Sequence, residues 1–206
     1  MIKADYDLIV AKVLEKLSTK IRVEASGRHI HLSHADAMTL FGTTELTAVR
    51  ELSQPGQYLY KEKVTLIGPK GIIKDVAILG PCRGDTQVEL SITDMRTLGL
   101  QPVVRDSGDL KGAGDVVVTA NNRVIAAQGA AIVAKRHLHM TPEDAERLGV
   151  KQGQEVAVRV HGSRKLIFEE VLVRVSPKYI LSMHLDYDEA NAVGLTAEAY
   201  GEIVWI

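Results

Sequence analysis

Apolar positions along the chain follow two periods. Tyr6, Ile9, Val10, Val13, Leu14 and Leu17 recur at helical spacing, with Asp7, Lys12, Glu15, Lys16 and Ser18 on the other faces, so residues 5 to 18 read as an amphipathic helix. From residue 20 onward β signals dominate. Val64 to Ile67 and Ile72 to Leu79 flank Gly68-Pro69-Lys70-Gly71, while Val156 to Val160 and Leu166 to Val175 flank His161-Gly162-Ser163-Arg164, and each arrangement predicts a hairpin with Gly at the turn. Short strands are expected again over 115–119, 123–127 and 131–134. The helical stretches between them are too few and too short for the alternating βα units of a doubly wound sheet or a TIM barrel. The pattern predicts a mainly β fold with short α-helices: small β-barrels capped by those helices, preceded by the amphipathic segment.

The strand-to-helix phrase is written twice. Arg28-His29-Ile30-His31-Leu32-Ser33, followed by Asp36, Ala37 and Leu40, aligns with Arg136-His137-Leu138-His139-Met140-Thr141, followed by Asp144, Ala145 and Leu148. Ser33 and Thr141 stand three residues before an Asp, the layout of an N-cap with an acidic first turn, and Pro142 takes the favoured first helical position. A second pair follows. Val88-Glu89-Leu90 leads to Gly99 and Met183-His184-Leu185 leads to Gly194, with Glu89 and His184 each ten residues before the Gly expected to end a helix. Two related halves, roughly 20 to 110 and 111 to 206, follow from this duplication.

Composition narrows the function classes. With 46% apolar residues in 206, the chain has enough material for a sizeable core, and 25 Lys and Arg against 26 Asp and Glu leave no broad basic face for nucleic acid or anionic membrane. The single cysteine, Cys82, allows neither an intrachain disulfide nor a cysteine-rich zinc motif. There is no apolar run of membrane-spanning length and no secretory signal pattern, so a cytoplasmic setting and small-molecule chemistry are expected.

Side chains at i and i+2 of a strand share a face, about 6.5 to 7 Å apart at their Cα atoms, from which two imidazoles can converge on one ion. The duplication therefore isolates His29, His31 and Glu89 in one half, and His137, His139 and His184 in the other, as candidate metal ligands. Imidazole and carboxylate without thiolate suit Zn²⁺ or a neighbouring divalent ion. Three protein ligands per ion leave a position open for substrate or water, which favours a catalytic over a structural site. His34, which has no counterpart in the second copy, and His161, at a hairpin turn beside Gly162, are expected at the surface. Cys82 is read as a small buried apolar residue. Arg83, on the Gly/Pro-bounded turn Gly80-Pro81-Cys82-Arg83-Gly84, could present its planar fork to a phosphate or carboxylate; a surface charge is the competing reading. Arg28 and Arg136 are expected on the opposite strand face from the first His of each pair.

The motifs "SGRHIHLS", "LSQPGQY", "VTLIGPKG", "ILGPCRGDTQVELS", "SGDLKGA", "KRHLHMTPEDA" and "MHLDYDEANAVG" together resemble the microcompartment-type phosphotransacylase family, phosphate propanoyltransferase, over roughly residues 20 to 195. The resemblance implies two helix-capped barrels with the N-terminal strand joining the C-terminal one: residues 20–27 with 111–206 in one, 28–110 in the other, and 1–19 as the separate helix. It implies two Zn²⁺ per chain on the six ligands named above and a phosphate-binding role for Arg83. The implied reaction interconverts a short-chain acyl-CoA and phosphate with acyl phosphate and CoA by direct attack of phosphate, without an acyl-enzyme. A homodimer or larger assembly is implied too. Residues 1–19 are expected to be an encapsulation helix for shell proteins, placing the enzyme in a microcompartment lumen, or else a helix docked on its own barrel or on a second subunit. The alternative activity is that of a metal-dependent acyl-CoA thioesterase or other metallohydrolase. However, Ser33 stands where the His-x-His-x-Asp-His signature of metallo-β-lactamase hydrolases needs its Asp.

Overall fold

Alternation decides which way each strand faces, and the facing decides how the strands close. The computed structural model describes residues 19–205 and, ahead of them, residues 10, 13 and 14. The amphipathic helix expected over residues 1–19 therefore lies outside the described residues but for those positions. Fourteen strands and four short helices follow: β1 Ile21–Ala25, β2 His29–His31, α1 His34–Phe41, β3 Ala48–Glu51, β4 Tyr58–Ile67, β5 Ile72–Gly80, β6 Gln87–Glu89, α2 Ile92–Leu98, β7 Val104–Arg105, β8 Gly114–Ala120, β9 Arg123–Ala134, β10 His137–Met140, α3 Pro142–Leu148, β11 Glu155–Val160, β12 Leu166–Val175, β13 Ser182–Leu185, α4 Tyr187–Val193 and β14 Tyr200–Val204. The strands expected over 123–127 and 131–134 are one strand, β9, carried through Gly129 at φ +57°. No helix among the described residues is long and apolar enough to cross a membrane.

Two six-stranded barrels result. One closes in the order β1-β13-β10-β12-β11-β14. The other runs β4-β5-β2-β6-β9-β8 and closes because β8 pairs with β4. Their pairings correspond strand for strand. The parallel pairs β2·β5 and β6·β9 match β10·β12 and β13·β1, and the antiparallel pairs β2·β6, β4·β8 and β8·β9 match β10·β13, β11·β14 and β14·β1. β1 thus occupies in its barrel the place β9 holds in the other.

This corrects the domain boundary expected at 110/111. Residues 114–134, assigned from the repeat to the second half, form the β8–β9 hairpin through Asn121 and Asn122, both at positive φ, and complete the first half's barrel. The fold pairs them there because β9 and β1 exchange places between the repeats, each joining the other repeat's barrel, and β8, the counterpart of β14, closes the first barrel. The barrels are therefore residues 29–134 and residues 21–25 with 137–204.

Each barrel is filled by the inward residues of its strands: Ile30, Leu66, Val76, Ile78, Val88 and Val118 in one, Val23, Leu138, Met140, Val158, Val173 and Met183 in the other. All four helices begin on a capping side chain, Ser33, Ser91, Thr141 or Asp186, and end on a left-handed glycine, Gly42, Gly99, Gly149 or Gly194. Cap and Gly thus limit each helix to about two turns, which caps a barrel end without covering its side. Gly27, in the short link from β1 to β2, lies against the Tyr187 ring so closely that a Cβ there would overlap it.

Candidate metal and anion site

The residues that cannot face into the barrels meet on their outsides. Because Leu138, Met140, Met183 and Val173 point inward, period-two alternation turns His137, His139, His184 and Arg174 outward. The ladder sets them in rows: Glu24 beside His184 beside His137, and Ser182 beside His139 beside Arg174. On the other barrel Ile30 and Val88 point inward, so His29, His31 and Glu89 turn outward, with His29 directly opposite Glu89. A cavity of about 640 Å³ is lined by residues of both barrels, including all six of these candidate ligands.

Within each triad the potential ligand atoms lie within 4.8 Å of one another, His29 with His31 and Glu89, and His137 with His139 and His184. The His29 and His31 rings meet edge to face at 5.0 Å, and His137 and His184 at 5.1 Å. Local hydrogen bonds orient the rings. Nδ1 of His29, His31 and His137 pairs with the carbonyls of Gly27 (2.6 Å), Leu79 (3.1 Å) and Lys135 (2.8 Å), an arrangement that protonates Nδ1 and leaves the Nε2 lone pair free. Glu89 is split between two duties. Its Oε1 accepts from Ser107 Oγ and Gln87 Nε2, both at 2.6 Å, which leaves Oε2 at 3.4 Å from His29 Nε2. Tyr179 stacks on the His139 ring at 4.2 Å, and His184 Nε2 stands 3.5 Å from Glu24 Oε2.

The donor set fits a pair of divalent ions of the zinc class. Nitrogen and carboxylate donors are grouped in threes, second partners hold the rings, and buried His139 Nδ1 has no hydrogen-bond partner among the described residues. Electrostatics agree. Burial and then the neighbouring imidazole charge push His31 down to about 3, His137 to about 4 and His139 to about 2, so all three are neutral near pH 7, the state a metal requires. Burial pushes the Glu89 carboxyl up, but the charges of His29 and His31 and the Ser107 hydrogen bond outweigh it and bring it to about 2.

These shifts predict an acid-labile fold. Each folded-state imidazole value lies below the roughly 6.5 of a free histidine, so between the two values the unfolded chain binds more protons and stability falls as pH falls. For metal-stripped protein the loss is expected to reach up to about 1.4 kcal/mol per imidazole for each pH unit below about 6.5. Denaturant midpoints at pH 7.5 and 5 would register it, and equal midpoints would mean that the imidazoles are not held neutral.

Arg83 lies on this cavity. Its backbone N–H donates to Leu32 O at 2.9 Å, pinning the turn after β5 against the end of β2 beside His31. Arg28 and Arg136 face away from the triads toward helices, Arg28 pairing with Asp94 of α2 at 2.7 Å and Arg136 with Glu189 of α4 at 2.8 Å. Two expectations need refinement. His34 is exposed as expected, but His161 is half-buried, 3.0 Å from Glu202 and stacked on Tyr200, because its hairpin turn folds back on β14. Cys82 is only partly buried, packed at the edge of the core. Arg174, Glu24, Ser107 and Tyr179 also line the cavity and were not singled out from the sequence. Alternation marks Arg174 and Glu24 as outward-facing, but nothing along the chain says that this outward face meets the other barrel. The two barrels are also tied directly: Gln54 Nε2 donates to Ser182 Oγ (2.8 Å) and Ile180 O (2.9 Å), and Thr93 N donates to Asp188 (2.8 Å).

The family model for phosphate propanoyltransferase matches residues 22–196. Proteins named phosphate propanoyltransferase are similar along nearly the whole chain. The one from Sebaldella termitidis is 49% identical over 98% of this chain and 99% of its own, that from Enterococcus faecalis 48% over 95% and 93%, and that from Thermotoga maritima 51% over 90% and 88%.

Proposed function

The chain belongs to the phosphate propanoyltransferase family and is an acyltransferase, and we propose that it interconverts a short-chain acyl-CoA and phosphate with acyl phosphate and CoA at a two-zinc centre between its barrels. The observation that carries the reading is the convergence of two ligand triads and Arg83 on one cavity. His29, His31 and Glu89 would hold one ion, and His137, His139 and His184 the other. Bound there, zinc supplies Lewis-acid charge for the thioester carbonyl, for the anionic sulfur of CoA and for phosphate oxygens.

The chain's own groups account for the rest. Arg83 presents a planar fork to phosphate and holds one of its oxygens toward the thioester carbon. That oxygen forms the new C–O bond as the C–S bond breaks. The bonding pair leaves with sulfur, and the proton brought by hydrogen phosphate ends on the CoA thiol, so no net proton is exchanged with solvent. Neutral His31, His137 and His139 do not compete with Arg83 for the anion. Buried Glu89, engaged by Ser107 and Gln87, is held from attacking the ester itself. No cysteine lines the cavity, and the step needs no covalent nucleophile from the protein.

The test is metal-loaded protein incubated with propanoyl-CoA or acetyl-CoA, with and without phosphate, following thiol release and acyl phosphate together. Phosphate-dependent release with stoichiometric acyl phosphate is expected; release at the same rate without phosphate would mean a thioesterase. Arg83→Ala is expected to raise the KM for phosphate by about ten- to a hundredfold, the worth of a charge-assisted contact, with the KM for acyl-CoA little changed. An unchanged phosphate dependence would remove Arg83 from the site.

A further inference from the structure

Of the cationic side chains on the cavity, Arg50, Lys63 and Lys178 are exposed, where water solvates their charge, and Arg28 has Asp94 as its partner. Arg83 and Arg174 are different. Both are half-buried, and neither guanidinium has a hydrogen bond or ion pair among the described residues. They come from opposite barrels, Arg83 from the turn beside β2 and Arg174 from β12, where it pairs in register with His139. Glu89, the carboxylate within electrostatic reach of Arg83, is already engaged by Ser107, Gln87 and His29.

Two partly desolvated like charges turned into one cavity are unfavourable by themselves, and an anion between them reverses the sign of that interaction. Arg83 registers the strain. Burial first, and the Arg174 charge as well, hold its guanidinium below the ordinary value despite the opposing pull of Glu89.

We infer that Arg174 is a second phosphate-binding residue, which with Arg83 clamps the tetrahedral oxyanion of phosphate or acyl phosphate from the opposite barrel. The inference rests on the phosphate acyltransferase reading given above. Two planar forks offer paired N–H donors to a dianion, a recognition that an ammonium group cannot reproduce. CoA carries phosphates too, but the pantetheine arm separates them from its thiol. Arg174 stands one strand from the imidazoles where the thioester must react. The reacting phosphate is therefore its ligand.

Initial rates of the zinc-loaded enzyme, with phosphate and acyl-CoA varied in turn, test this in Arg174→Ala and Arg174→Lys, with zinc content measured on each. Arg174→Ala is expected to raise the KM for phosphate by about tenfold or more, leave that for acyl-CoA within about twofold, and keep both ions. Arg174→Lys, which keeps charge but loses the fork, is expected to fall between Ala and wild type, and it decides the matter if the Ala variant does not fold. A rise confined to the acyl-CoA KM would assign Arg174 to the phosphates of CoA and overturn the inference. Loss of zinc with unchanged phosphate KM would overturn it in favour of a structural role, as would unchanged kinetics in both variants. Should the wild-type enzyme itself form no acyl phosphate, the reaction assignment falls and the clamp with it. A phosphate-dependent wild type with an indifferent Arg174 removes the clamp alone.

Discussion

Glu89→Ala is expected to release one of two zinc ions per chain and to lower acyl phosphate formation by more than about a hundredfold. The size follows from the division of labour on its carboxylate. One oxygen is held by Ser107 and Gln87 and the other faces His29 at 3.4 Å, so the substitution removes the proposed ligand together with the hydrogen bonds that aim it. Disturbing only an outer partner of a metal ligand costs about 10- to 100-fold in affinity or activity, and loss of the ligand exceeds that. Ser107→Ala, which frees the carboxylate without removing it, should fall within that lower range. Elemental analysis read beside the acyl phosphate assay separates the cases. Two tightly bound ions and undiminished turnover in Glu89→Ala would dissolve the equivalence of the two triads.

Stripping both ions with a strong chelator is expected to abolish turnover and to lower the melting temperature by about 8 to 16 °C for each ion removed. A ligand present at about a thousand times its Kd stabilises the folded state by about 4 kcal/mol, and each kcal/mol shifts a domain of this size by about 2 to 4 °C. The stripped protein should nevertheless remain folded at neutral pH. Both barrels close over apolar cores that include none of the six candidate ligands, and His31, His137 and His139 on their outer faces are neutral there. Zinc returned in stoichiometric amount should restore melting temperature and turnover together. A melting curve indifferent to the chelator would place the bound metal elsewhere or nowhere.

The site was legible along the chain to an unequal degree, for physical reasons. His29 with His31 and His137 with His139 could be read because strand period two puts both members of each pair on one face, and the capped helix after each pair fixes where the strand stops. Glu89 and His184 followed from their constant distance to a helix-ending glycine. Arg174 was not legible: a charged residue alternating with Val173 and Val175 reads equally well as solvated, and only the facing barrel turns that side of β12 into a cavity wall. The barrel boundary misled for a related reason. Sequence similarity marks the unit that was duplicated, whereas hydrogen bonding marks the unit that folds, and β9 belongs to the second repeat by position but to the first barrel by pairing.

The exchanged first strand also sets an order of assembly. As the chain emerges from a ribosome, residues 29–134 hold every stave of their barrel and can close while the rest is still being made. Strand β1 must wait longer, because its two neighbours, β13 and β14, follow every other described strand along the chain. Until then β1 stays tethered to a finished barrel with its own berth unbuilt, and the second candidate triad gains its Glu24 neighbour only when β13 folds back against β1. A nascent chain stalled just after Val193 should therefore offer protease-sensitive bonds near Ile21 beside a protected core from 29 to 134, and releasing the stall should remove that sensitivity.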